Sequence, residues 1–200
     1  AGRRDSSIKM KSEIKIIVHG VAGRMGAEVA KLAEDGYRAA ILHAGVDLGG
    51  NQLVGEPPKF SKGAVVSPCS DSVDAQLAKM ERKVAAGAEY FQTQAVFEPE
   101  KFIKFMEKAK QFGKPVQVGI IIPKSAGMAK FMNNNVAGIH VPDEMLEELK
   151  ADKEKTKAGI TGVEIAARII KECKPYCQGV HIMALGWESK IPDLLKLAEI

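Results

Sequence analysis

Apolar residues along the chain fall into two kinds of stretch that take turns. Short, nearly continuous runs read as parallel strands buried on both faces, and longer segments with apolar positions three and four apart read as amphipathic helices. Residues 14–18 form the first run, broken only by Lys15, and 38–43, 64–66, 90–95, 116–122 and 180–185 follow. Between them, Val73, Leu77, Met80 and Val84 mark one helical stripe, Phe102, Phe105, Met106 and Ala109 a second, and Ile191, Leu194, Leu195 and Ala198 a last one. Turn residues separate these elements. SPCSDSVD offers several N-caps for the first stripe, Gly87 closes it, Pro99 opens the second helix, and Gly113-Lys114-Pro115 stops it. PKSAGMAKFMNNN predicts a short helix, Pro142 turns the chain into another, and Thr161 with Glu164 spells a capping box for a helix running through Cys173. The step from Gln92 to Val118 is one βα repeat, the rhythm of a (βα) barrel or an open parallel sheet.

Composition adds little to this picture. At 200 residues, 46% hydrophobic and 27% charged, the chain suits one domain or one and a half small ones. The net charge of +4 is spread along helices, which gives no case for nucleic acid as a partner, and Arg3-Arg4 belongs to a polar leader over residues 1–11 in which Met10 suits an original start. Three cysteines, no signal peptide and no apolar run near membrane-spanning length predict a reduced, cytoplasmic chain with neither disulfides nor a membrane span. Cys173 and Cys177 share a helix face by spacing, but no second ligand pair stands near them in sequence, so no metal site is expected.

The candidate chemistry sits at strand ends. In parallel α/β proteins the strand-to-helix loops gather ligands above the carboxyl ends of the strands. Thr93 and Gln94 fall at such an end, and so do Trp187 and Glu188 after the last strand. A neutral amide at that place suits a neutral heterocycle; the alternative is a glutamine that satisfies nearby backbone. Lys79, Arg82 and Lys83 share the carboxyl half of a helix, where positive charge also favours the helix dipole. The first strand runs into HGVAGRMGAEVAKLAEDG, in which Gly20, Gly23 and Gly26 permit a tight turn whose N–H groups face phosphates, or close packing of a helix start.

Two resemblances sharpen these expectations. Over about residues 14–36, GVAGRMG resembles the cofactor turn of dihydrodipicolinate reductase, which implies that Gly20, Gly23, Arg24, Met25 and Gly26 line the phosphates of NAD(P)H. The histidine-pair and lysine motif of those reductases has no counterpart, and the strand over 38–43 ends without an acidic residue for a ribose, Asp47 coming at about the right distance but behind Gly45. From about residue 45 onward, GVDLGGNQLVGEPPKFSKGAVVSP, KVAAGAEYFQTQAVF, GIIIPKSAGMAKFMNNNVAGIHVPDEM and GVHIMALGWESKIPDLL resemble, in order, the later half of methylenetetrahydrofolate reductase. That family is a (βα) barrel that binds FAD at the strands' carboxyl ends, reduces it with NAD(P)H and passes the hydride to a folate. The resemblance implies that Lys83, with Arg82 beside it, meets the flavin phosphates. It further implies that Gln94 faces the pterin and that Ser125 lies in the loop shaping the substrate site, with Met128 the nearest bulky side chain after it.

The family's proton-donating glutamate on the first strand and its flavin-side aspartate on the fourth have no counterpart, so the catalytic residues stay unassigned. The implied function is a flavin and folate oxidoreductase half barrel with little or no turnover; a chimeric or designed scaffold and an NAD(P)-binding domain are the other readings. The expected architecture is α/β, a parallel sheet of about six strands built from a Rossmann-like fragment over residues 12–44 and the half barrel over 45–200, as in a chimera joined near residues 35–45. Its alternative is a TIM-type barrel completed by a homodimer.

Overall fold

The computed structural model describes residues 63–200 throughout and the backbone of residues 14–19 and 40–46. The chain divides into two compact units, Ala1–Phe60 and Ser61–Ile200. In the first, β1 (Ile14–His19) pairs in parallel with β2 (Ala40–Val46), with a register shift between Ile16 and Ile17. The second strand is displaced from its expected limits of 38–43. Ile17, Val18 and His19 find their ladder partners at Ala44, Gly45 and Val46, so pairing carries the strand through a glycine that reads locally as its end.

The second unit holds β3 (Gly63–Val66), α1 (Val73–Ala85), β4 (Tyr90–Ala95), α2 (Pro99–Ala109), β5 (Val116–Ile121), α3 (Ala126–Asn135), α4 (Asp143–Ala151), α5 (Lys153–Lys157), α6 (Ile160–Cys173), β6 (Gly179–Met183) and α7 (Ile191–Ala198). Its strands are all parallel and lie in the order β3-β4-β5-β6. The six described strands thus divide between a two-stranded and a four-stranded sheet.

The helix starts explain themselves. Ser72 caps α1 by accepting from the Ala75 N–H at 3.3 Å, and Leu77 and Met80 turn inward from it. Pro99 sits in the first turn of α2, where its missing N–H costs nothing, and Phe102, Phe105, Met106 and Ala109 form its buried stripe. Asn133 holds the turn before α4, its amide both donating to and accepting from the Val141 backbone at 2.9 and 2.7 Å.

The start of α6 corrects the sequence reading. Gly159, at φ +81°, occupies the cap position. Thr161 lies inside the helix and is buried, its hydroxyl 3.1 Å from that of Thr156, while Glu164 pairs with Lys155 at 2.6 Å. The capping-box spelling therefore serves two tertiary contacts and not a cap. Within the core, Gly162 lets α6 abut the strand-end loop after β5, because a Cβ there would lie 2.3 Å from the Pro123 carbonyl oxygen. Strand alternation places Phe91, Thr93, Ala95, Val116, Val118 and Ile120 on the sealed side of the sheet, in one continuous core with Phe102, Phe105, Ile165 and Ile169 for the apolar ones.

Candidate functional site

The carboxyl end of β4 is irregular, and the irregularity centres on the glutamine singled out by sequence. Gln92 pairs with Gln117 and Ala95 with Gly119, so β4 spends Thr93 and Gln94 where β5 spends only Val118. That is a β-bulge, a device that re-aims a side chain beside a site. Thr93, 3% exposed, fills the gap in the ladder: its hydroxyl accepts from the Gly119 N–H at 2.8 Å and donates to the Gln94 carbonyl at 2.7 Å. Gly119 has to be glycine here, since a Cβ would stand 2.4 Å from the Thr93 carbonyl oxygen. The Gln94 side chain is half-buried, and its Oε1 accepts from the Ala95 N–H at 3.3 Å. With the carbonyl end tied down, the amide N–H groups are the part of Gln94 left to meet a ligand.

The loop after β5 lies at the same end, one strand over. Ser125 is exposed and caps α3, accepting from the Met128 N–H at 3.1 Å. Lys124 beside it reaches the loop after β6, where its Nζ donates to the Leu185 carbonyl and stands 5.5 Å from the Trp187 ring centroid, a cation over an aromatic face. Leu185 at φ +52° and Gly186 at φ +89° turn the chain there, which is why β6 ends at Met183 and not at residue 185. Glu188 folds back to accept from the Gly186 N–H at 3.0 Å.

On the other flank, Lys83 donates from Nζ to the carbonyl of Val65 on β3, the residue level with Gln92 in the neighbouring strand. Arg82 next to it is exposed. The structure thus sets Gln94, Ser125 and Lys83 on or beside three successive strands of one sheet. It puts Lys83 on a sheet-edge carbonyl, a contact that sequence does not reveal. Gly20, Gly23, Arg24, Met25 and Gly26 lie outside the described residues.

Sequence reasoning passed over a polar cluster just beyond β4. Glu98 places Oε1 3.3 Å from His140 Nδ1 and Oε2 3.0 Å from Lys101 Nζ, the latter an ion pair without hydrogen-bond alignment. The Cys69 Sγ lies 3.9 Å from the Glu98 carbonyl, and burial, reinforced by the Glu98 charge, pushes this thiol up to about 12, which makes it inert as a nucleophile. Only proximity in space joins these residues; Lys124, by contrast, had a signal in its place directly after a strand-ending proline. Burial also raises the Cys173 and Cys177 thiols, and Cys177 donates to the Cys173 carbonyl at 3.5 Å. Among the described residues no group of three or more His, Cys, Asp or Glu is placed to hold a metal ion, and no helix is long and apolar enough to cross a membrane.

Parallel strands joined by helices, with polar groups on the strand-end loops, define a (βα) unit of the partial-barrel kind. The family model for methylenetetrahydrofolate reductase matches residues 60–199, and the chain belongs to that family. Methylenetetrahydrofolate reductase 2 of Schizosaccharomyces pombe is 31% identical over 125 residues, which are 57% of this chain and 19% of that protein, so the chain spans about a fifth of the length of this curated relative. A solved structure of an uncharacterized protein from Clostridium thermocellum, which binds two copies of 5-methyl-5,6,7,8-tetrahydrofolic acid, superposes with a TM-score of 0.49 at 19% identity, covering 68% of this chain and 51% of that one.

Proposed function

We propose that the Ser61–Ile200 unit takes the pterin of a reduced folate at the carboxyl end of β4, with Gln94 as the recognising amide. The observation that carries this reading is the bulge at Thr93–Gln94 inside a family-matched segment. It sets a neutral amide at the ligand end of a parallel sheet with its Oε1 already engaged and its N–H groups available to the acceptors of a pterin edge. In this reading Ser125, in the loop after β5, and Met128, in the first turn of α3, border the same site.

FAD fits as the cofactor on the chemistry of the donors. The Lys83 ammonium has three N–H groups and gives one to the Val65 carbonyl, leaving two for phosphate oxygens, and Arg82 adds a planar fork. When bound, the flavin supplies the hydride, which NAD(P)H provides to it. In the same reading, Gly20, Gly23, Arg24, Met25 and Gly26 serve the phosphates of a nicotinamide nucleotide, in a segment of separate origin fused to the reductase-like one. The glutamate and aspartate that the family places on its first and fourth strands have no counterpart in these 200 residues, so they bind with little or no turnover.

Two measurements test the reading. After incubation with excess FAD and desalting, the protein should retain a flavin band, and Lys83→Ala should weaken retention while helix content by circular dichroism stays the same. In calorimetric titration with 5-methyltetrahydrofolate, Gln94→Ala should weaken binding about tenfold or more. A folded, colourless protein that gives no heat with the folate overturns the proposal in favour of a scaffold. NADH oxidation coupled to methylenetetrahydrofolate would move it the other way, to an active enzyme.

A further inference from the structure

We propose that Thr93, seated against Gly119, is the positioning residue for Gln94. This rests on the reading of Gln94 as the recognising amide and extends it to the groups that aim it. The coupling between the two residues runs through a single peptide group. The carbonyl of Gln94 and the N–H of Ala95 belong to the same plane. Thr93 Oγ1 donates to that carbonyl at 2.7 Å, and the Ala95 N–H of the same plane donates to Gln94 Oε1 at 3.3 Å. The hydroxyl therefore sets the orientation of the peptide, and the peptide sets the orientation of the amide.

Thr93 can do this because it is itself fixed from the other side. Its oxygen accepts from the Gly119 N–H at 2.8 Å, so the hydroxyl proton is left to point at Gln94. The hydroxyl replaces a backbone carbonyl as the rung of the ladder at the bulge, and at 3% exposure no water competes for it. Pairing resumes directly beyond, where the Val96 N–H donates to the Gly119 carbonyl at 2.9 Å, which closes the irregular segment between two regular rungs. Gly119 completes the arrangement by absence. A side chain there would strike the Thr93 carbonyl at 2.4 Å and the Gln94 carbonyl at 3.0 Å, so β5 could not approach closely enough to engage the hydroxyl.

The test compares Thr93→Val, which keeps the shape and removes the hydroxyl, with Thr93→Ser, which keeps the hydroxyl and removes the methyl group. The first readout is NMR on the ligand-free protein: the side-chain NH2 signals of Gln94 and their cross-peaks to neighbouring backbone. They should shift and broaden in Thr93→Val and stay in place in Thr93→Ser. The second readout is 5-methyltetrahydrofolate affinity, expected to fall about tenfold in Thr93→Val, to change by less than about threefold in Thr93→Ser, and to show almost no further loss when Thr93→Val is added to Gln94→Ala. Gln94 signals that are unmoved in Thr93→Val overturn the proposal, as does the reverse order of the two variants. Should the wild-type protein not bind the folate, the ligand assignment falls, while the NMR comparison still decides the positioning role. If Thr93→Val does not fold, Thr93→Ala takes its place in both readouts.

Discussion

The two faces of the four-stranded sheet are made by the same strands and follow opposite rules. On one, Phe91, Val118 and Ile120 are fully excluded from water and join the large phenylalanines of α2 in the core. On the other, the side chains level with one another are Val65, Gln92 and Gln117, with Gln94, His181 and Met183 further along, and most are half-buried. Val65 is 56% exposed. The amides answer one another, Gln92 Nε2 donating to Gln117 Oε1 at 3.2 Å, and Tyr90 lies across Gly63, where a Cβ would come within 2.3 Å of its ring. The sealed face is where burial of apolar area stabilises the fold; the amide face offers hydrogen-bonding groups at modest cost in stability. A ligand that needs polar contacts without charge meets such groups on the second face, whereas the Thr93 hydroxyl on the first is already bonded to Gly119 and Gln94 and closed to solvent.

The sharpest test of that division is a cavity in the sealed face. Phe91→Ala should cost about 3–5 kcal/mol in urea unfolding, the range for a large aromatic lost from a packed core. Next in size is an alkaline effect. The Cys69 and Cys173 thiols are held neutral by burial, with pKa values raised above the ordinary 9.0, so their contribution is fully present below pH 9 and is lost as the unfolded chain releases protons that the native one keeps. Stability should therefore fall between pH 9 and pH 10, at up to about 1.4 kcal/mol per pH unit for each thiol. Replacing both by alanine or serine should flatten that slope, and an unchanged slope would place these thiols in contact with water. The smallest effect belongs to the amide face: Gln92→Ala should cost less than about 1 kcal/mol. A loss there that matches Phe91→Ala would erase the distinction between the faces.

Local pattern makes the sealed face legible and leaves the amide face half hidden. The stripes Leu77, Met80 and Phe102, Phe105, Met106, Ala109 are buried as their spacing requires, because helix periodicity alone decides which side turns inward. The parallel direction of the strands likewise follows from the repeat of apolar run and helix, whereas their order comes from the fold. The bulge does not. It depends on a hydroxyl at Thr93 meeting an N–H at Gly119, 26 positions away, and a threonine in a strand has no spelling that distinguishes packing from bonding. The same limit explains α6, where Thr161 and Glu164 spell a cap but are taken up by Thr156 and Lys155. It also explains Lys83, whose contact with the Val65 carbonyl exists only because β3 lies at the edge of its sheet. Residues whose roles are set by the next few positions can be read from the chain. Those set by a neighbour across the sheet need the fold.

The loop after β6 carries the chain's single tryptophan, Trp187, half-buried beneath the Lys124 ammonium. Its indole emission is thus a built-in optical reporter of one end of one sheet, with no second fluorophore of its kind to dilute the signal. The surrounding charge makes that reporter directional. A ligand that draws Lys124 off the ring alters the field at the indole, whereas a change confined to the opposite end of the strands leaves its spectrum alone. Excitation at the red edge of the indole band can therefore say at which end of the sheet a molecule has arrived, on unlabelled protein and in a single titration.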